Sequence, residues 1–414
     1  MRFLPTITAS LALTVPLIAP GAPAVAAAPL CAGERATVVG NGKANNLTGT
    51  AKRDVIWAGA GNDTISGPGG NDLICAGAGA DRISGGPDDD TIYGELDDYR
   101  ADAFGRFHRT GDTIIPGAGN DYVDPGYDAR PVSAGVKVEQ DTISYFGAPA
   151  PAVVDLRAVP AVVGADGTDT IVIAAGSPIG FIGTPFNDII RGTYKSDRLY
   201  GMAGDDQLFG RDGDDVITPD GNDSAGNDTV DGGSGDDTIV SPAGADTIVG
   251  GPGPDSITAT SPNSKLIKAG SGGDTVTIPV PSESGFKVVG NGGRDKLRMV
   301  SYANPAIFPT VRIDQRKGLT KVTKLLPVAI TGKIQSFTEV SLPANAKTIY
   351  KGTDKGEVID AHPDFRAIIK TRGGADVLTG SNKLDLLIGG KGFDPGFGKG
   401  GRDKCKLIER RKSC

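Results

Sequence analysis

The chain has 414 residues, with Gly 62, Asp+Glu 50 against Lys+Arg 43, hydrophobic residues at 38% and aromatics at 6%. Glycine is thus about twice its usual share, and a large aromatic-rich core is excluded. The net charge of -7 is modest for the length, and the acid sits in the glycine-rich stretches while Lys and Arg gather toward the C-terminal third, a balance that argues against nucleic acid as a partner.

The N-terminus, "MRFLPTITASLALTVPLIAPGAPAVAAAP", carries one cation at Arg2, an apolar run and then small residues up to Ala26. This pattern predicts a signal peptide over 1–26, followed by an N-terminal cap segment at 27–39. No later apolar run reaches the roughly 18 residues that span a bilayer, so the expectation is a secreted, extracellular chain without an anchor, held at the cell surface if at all. Exported proteins oxidise their thiols. Of Cys31, Cys75, Cys405 and Cys414, Cys405 with Cys414 would close a local loop and Cys31 with Cys75 would tie the cap to the glycine-rich chain beyond it; the sequence alone leaves this pairing open.

From 40 to 93 the chain repeats every nine residues, as in "AGAGNDTIS GPGGNDLIC AGAGADRIS", with Asp54, Asp63, Asp72, Asp81 and Asp90 at the sixth place. In the first piece, "GNGKANNLT", Asn46 is read in the place of that Asp. The first array covers 40–124, with an insertion at 94–106 and two further pieces around Asp112 and Asp121. A degenerate strand-rich linker follows at 125–182, with isolated pieces around Asp141 and Asp169. The second array, 183–258, places Asp188, Asp197, Asp206 and Asp215 on the frame, inserts "PDGN", and resumes with Asp228, Asp237, Asp246 and Asp255.

Degenerate repeats around Asp274 and Asp295 open the segment 259–370, where Glu357 takes the sixth place in "GTDKGEVID". Within it, 300–350 alternates apolar and polar residues, as in "TVRIDQRKGLTKVTKLL", and reads as a strand-rich insert. The third array and a C-terminal cap occupy 371–414, with Asp376, Asp385, Asp394 and Asp403 on the frame. No segment shows helical periodicity.

In each piece the first six residues favour tight turns and left-handed backbone angles, and the last three resemble a short strand, so nine residues read as one turn of a coil. Side chains alternate along a strand. Ile56, Ile65, Ile74, Ile83 and Ile92 would form one inward ladder, and Ile190, Leu199, Leu208, Ile217, Val230, Ile239, Ile248 and Ile257 another. Burying one Ile gives roughly 1.5–3 kcal/mol, whereas fixing each residue's backbone costs about 1–2 kcal/mol. The ladder alone cannot hold the coil, and stacking brings the carboxylates into columns that repel. A hard divalent cation between oxygen ligands answers both problems, and calcium is the natural one. Because successive pieces alternate edges, the pairs Asp63 with Asp81, Asp72 with Asp90, Asp188 with Asp206, and Asp237 with Asp255 each bracket a candidate site.

"GGSGDDTIV" and "AGAGADRIS" resemble the nonapeptide GGxGxDxUx of the repeats-in-toxin, or hemolysin-type calcium-binding, family. The resemblance implies an all-β chain of parallel β-roll (β-solenoid) arrays joined by strand-rich non-repeat segments, with calcium held by sixth-place aspartates and loop carbonyls, folding on ion binding. The metal ligands it implies are Asp54, Asp63, Asp72, Asp81, Asp90, Asp188, Asp197, Asp206, Asp215, Asp228, Asp237, Asp246, Asp255, Asp376 and Asp394. Asn46, Glu357 and the glycine-poor loop "GTYKSD" depart from the family pattern.

Catalytic signatures are missing. The two histidines, His108 and His362, form no HExxH pair, there is no GxSxG elbow, and no GK[ST] follows the glycine turns. The expectation is a calcium-binding protein and not an enzyme. The other classes are a calcium-dependent adhesin or envelope protein that meets cell-surface polysaccharide or other cells, and a secreted hydrolase with a repeat tail. "DGNDSAG", from Asp220, faintly resembles a helix-loop-helix calcium loop but has Ala225 for its glycine, and reads as coincidence.

Overall fold

Each nonapeptide folds as a glycine-rich loop followed by a short strand, and the register of those strands sets the architecture. Val55 pairs with Leu73 and Ile65 with Ile83, always in parallel, so neighbouring strands are two nonapeptides apart. One nonapeptide is therefore half a turn, not the full turn read from the sequence: a strand on one face, a loop at one edge, then a strand on the opposite face. The computed structural model describes residues 28–94, 99–101, 107–109, 111–126, 137–138, 140–157, 162–164, 167–173, 177–221, 225–280, 284–300, 310–317, 319–323, 330–343, 346–362, 366–401, 403–406, 408 and 410–412. The expected signal peptide at 1–26 and much of the insertion at 94–106 lie outside them.

The result is an all-β solenoid of two facing sheets, with no α-helix among the described residues. One sheet is parallel from Asn46–Thr48 to Arg410–Lys412, each strand pairing with the one a turn away. The other starts at Val38–Asn41 and is parallel except at two places. There, Val162–Gly164 lies antiparallel between Val153–Asp155 and Gly167–Ile171, and Leu319–Thr323 lies antiparallel between Thr310–Asp314 and Ile330–Gln335. Parallel pairing of this kind needs both faces of a strand covered or tolerant of water; here the inner face is covered by the opposing sheet.

The eighth-place residues form the core. Ile56, Ile74, Ile83, Ile92, Ile190, Leu199, Leu208, Ile217, Val230, Ile239, Ile248 and Ile257 are fully buried, and one apolar cluster continues from Ile56 to Ile408. A second, small cluster closes the N-terminal end. Cys31, Ala36, Val55, Leu73 and Cys75 pack together with Trp57 and Tyr93 against them, and the sulfurs of Cys31 and Cys75 are at bonding distance, with Cα atoms 5.7 Å apart. The second expected bridge ends on Cys414, outside the described residues.

Candidate metal sites

The sixth-place aspartates stand where each loop meets its strand, and the two-piece spacing sorts them into one column along each edge of the solenoid. All fifteen expected ligands are buried. Each expected pair is brought together by one recurring hydrogen bond: the backbone N–H of one Asp donates to Oδ1 of the Asp one turn later. The distances are 2.7 Å from Asp63 to Asp81, 2.8 Å from Asp72 to Asp90, 2.7 Å from Asp188 to Asp206 and 3.0 Å from Asp237 to Asp255. The same bond runs on through Asp255, Asp274 and Asp295. These last two keep the glycine loops "AGSGGD" and "GNGGRD", and only the isolation of their pieces keeps them from the expected ligands. In the first piece the donor to Asp63 is the N–H of Asn45, at 2.6 Å. Asn45, not Asn46, takes the sixth place, and Asn46 pairs with Thr64 at the start of the strand.

What happens at the second carboxylate oxygen divides the loops into two kinds. In Asp63, Asp72, Asp90, Asp206, Asp215, Asp228, Asp237, Asp255, Asp274 and Asp295 the Oδ2 atom is buried and meets no hydrogen-bond donor. The second residue of the nonapeptide explains most of this. It adopts a left-handed φ at Gly59, Gly86, Met202, Arg211, Gly233, Gly251, Gly270 and Asn291, or is Pro68, which has no N–H to give. In the other kind the second residue is Thr or Ser, outside the left-handed region. Its N–H and hydroxyl both turn onto the carboxylate. Thr193 donates from N at 2.6 Å and from Oγ1 at 2.9 Å to Asp197 Oδ2, Thr50 does the same for Asp54, and Thr184 donates from N to Oδ2 and from Oγ1 to Oδ1 of Asp188. Ser381 with Asp385 and Thr353 with Glu357 follow suit. Asp246 has a variant of this latch, in which the first-place Ser241 hydroxyl donates to its Oδ2.

A buried carboxylate oxygen with no donor costs about 1–3 kcal/mol or more, and ten of them in two columns require a compensating group. The first-place glycines show how closely a carboxylate and the next turn's carbonyl converge, in loops of both kinds. A Cβ on Gly232 would overlap both Asp237 Oδ2 and the carbonyl oxygen of Gly250, and one on Gly201 would overlap Asp206 Oδ2 and the carbonyl of Pro219. Each cradle thus joins a carboxylate oxygen to a carbonyl from the next turn, and a hard cation takes ligands of that type.

Burial raises carboxyls of both kinds, Asp197 and Asp246 to about 6 and Glu357 to about 7 among the latched ones. Burial pushes Asp206 and Asp215 up to about 8, against the ordinary 3.8, with the neighbouring carboxylates adding to it and the backbone N–H of the preceding Asp opposing it. Asp90, Asp228 and Asp255 are pushed up to about 7 for the same reasons. At Asp54 the sign reverses, because the Thr50 backbone hydrogen bond outweighs burial. The latched turns need no ion to be satisfied. Accordingly Thr193→Val, which removes two hydroxyl contacts from a buried carboxylate, is expected to lower stability by about 1–3 kcal/mol equally with and without calcium, read as the shift of a thermal melt in each condition.

No described helix is long and apolar enough to cross a membrane. Five segments, 39–74, 69–100, 182–217, 222–257 and 369–404, match the RTX calcium-binding nonapeptide repeat (4 copies). No curated protein matches the chain.

Proposed function

We propose that this chain, which carries the repeats of the RTX calcium-binding nonapeptide family, is a secreted calcium-binding protein whose solenoid is completed by ions lodged at the donor-free aspartates. The observation that carries the reading is the row of buried Oδ2 atoms without donors, which at Asp72, Asp90, Asp206, Asp215, Asp237, Asp255 and Asp295 lie beside a first-place glycine and a carbonyl of the next turn. Asp72, Asp90, Asp206, Asp215, Asp237, Asp255 and Asp295 hold calcium with those carbonyls, and Asp63, Asp81, Asp274, Asp376 and Asp394 continue the columns. Asp54, Asp188 and Asp197 are latched by threonine and act as ion-free turns. Calcium's charge offsets the stacked carboxylates and draws the loop oxygens together; the chain's own part is to hold them at one edge and exclude water from the Ile ladder.

Secretion is supported by the leader-like composition of 1–26 and by the Cys31–Cys75 bridge, which belongs to an oxidising space. Extracellular modules bind calcium at roughly 10⁻⁴ to 10⁻³ M, so about millimolar calcium outside the cell would fill such sites.

Gly232→Ala tests the cradle directly. Gly232 does not have a left-handed φ, so alanine fits the backbone, but its Cβ would lie 2.4 Å from Asp237 Oδ2 and 2.6 Å from Gly250 O and push the two oxygens apart. The expected result by isothermal titration is loss of calcium at that loop together with about 1–3 kcal/mol of stability, while Gly42→Ala, whose Cβ meets nothing within 4 Å, changes neither. Full calcium uptake in Gly232→Ala would remove the cradle as the binding place.

A further inference from the structure

The insertion 219–222 interrupts an otherwise regular array, and its Asp220 belongs to no sixth place. Asp220 nevertheless closes the strand Val216–Asp220 with its side chain turned inward, only 3% exposed. Its Oδ1 accepts the backbone N–H of Gly226 at 2.8 Å, and its buried Oδ2 meets no donor at hydrogen-bond geometry, although the Ala243 N–H and the Asp228 carboxyl lie near this carboxylate. Asp228, 1% exposed, likewise uses Oδ1 for the N–H of Asp206, at 2.8 Å, and leaves Oδ2 without a donor. Asp246, fully buried, accepts the N–H of Asp228 at 3.0 Å and the Ser241 hydroxyl. One carboxylate oxygen from each of these three residues lies within 4.8 Å of the other two, and no other such group of three occurs among the described residues.

We propose that Asp220, Asp228 and Asp246 form a three-carboxylate calcium site, tighter than the two-carboxylate loops of the regular repeat. The proposal rests on the reading of the repeats as calcium binders and goes beyond it: the third ligand comes from an insertion that the nonapeptide pattern does not contain. One oxygen from each carboxylate shares that small space, Asp220 and Asp228 each keep a buried oxygen without a donor, and no lysine or arginine acts on the three among the described residues. Opposite ligands of a calcium ion, each at about 2.4 Å, lie roughly 4.8 Å apart, so three oxygens that all lie within 4.8 Å of one another can reach one such ion. One more carboxylate at contact distance raises affinity by at least about tenfold, since ligand charge count is what tunes such sites.

The test is calcium titration of the full chain by calorimetry, with Asp220→Asn and Asp255→Asn as variants, each also melted in chelator. The wild type is expected to show a first calcium bound at least about tenfold more tightly than the rest. Asp220→Asn should lose that class and keep the weaker ones, whereas Asp255→Asn should keep it and lose weaker uptake. Because asparagine retains the acceptor for Gly226 N–H and removes a charge, Asp220→Asn should melt higher than the wild type in chelator and gain less from calcium. A lower melt in both conditions would make Asp220 structural and overturn the site. An unchanged tight class, or its absence from the wild type while weaker loops still bind, would also overturn it. No calcium uptake at all would overturn the repeat reading as well.

Discussion

Chelating calcium near pH 9, where the carboxylates of one edge are ionised, is expected to abolish more than half of the β circular dichroism, and adding calcium back to restore it. The reason is a contest of magnitudes along one edge. Asp215, Asp237, Asp255, Asp274 and Asp295 follow one another at successive turns, each with a donor-free oxygen, and strands in a sheet are about 4.8 Å apart. Two carboxylates at that distance repel by roughly 3 kcal/mol at an effective dielectric near 20. The four neighbouring pairs together reach about 12 kcal/mol, which equals the whole stability of an ordinary domain. Each half-turn's Ile returns only about 1.5–3 kcal/mol. Ionised and without cations, this edge therefore opens. Trp57 is a poor reporter of that event, since it packs on the Cys31–Cys75 cluster, and the dichroism is the measurement of choice. A spectrum unchanged by chelation would show that the columns are held by something other than ions.

Acid should rescue what chelation destroys. In the fold Asp206 and Asp215 are raised to about 8 and Asp90, Asp228 and Asp255 to about 7, all through burial first, from an ordinary 3.8. Between about pH 4 and 8 the folded chain thus binds more protons than the unfolded one, so stability without ions falls as pH rises through this window and is regained as pH drops. Melts in chelator are expected to move up by on the order of 10 °C from about pH 8 to about pH 5. Calcium competes with the same protons, so its affinity should rise as pH rises over that range. Among the described residues the lowered carboxyls, Asp54 and Asp155, oppose the trend. A melting temperature that falls steadily on acidification from about pH 8 would refute the account.

The period of nine makes the Asp and Ile columns legible, because a repeated residue in a repeated turn must face the same way at each repetition. Asp63 facing Asp81 and Ile65 above Ile83 follow from that alone. The loops' division is not legible in the same way. "GTYKSD" departs from the glycine pattern, but that the threonine N–H and hydroxyl fold back onto Asp197 depends on φ at a single residue, and Thr50 and Thr184 look like ordinary loop members. The equivalence of Asn45 to Asp63 is hidden by a neighbouring asparagine, which only strand register resolves. Asp220 escapes a pattern search, which sees an interruption there, whereas burial shows a carboxylate delivered to two others.

The recurring Asp hydrogen bond gives the solenoid a direction. Among the described residues, wherever a sixth-place N–H bonds a sixth-place carboxylate the acceptor lies in the turn that comes after, from Asn45 with Asp63 to Asp385 with Asp403. Trimming from the N-terminal side therefore removes donors and leaves spare acceptors that water can serve, while trimming from the C-terminal side strands a buried N–H with nothing to receive it. Like a filament with unlike ends, the stack is finished from one side only, and a chain emerging N-terminus first must wait for its last turns before the earlier ones are complete.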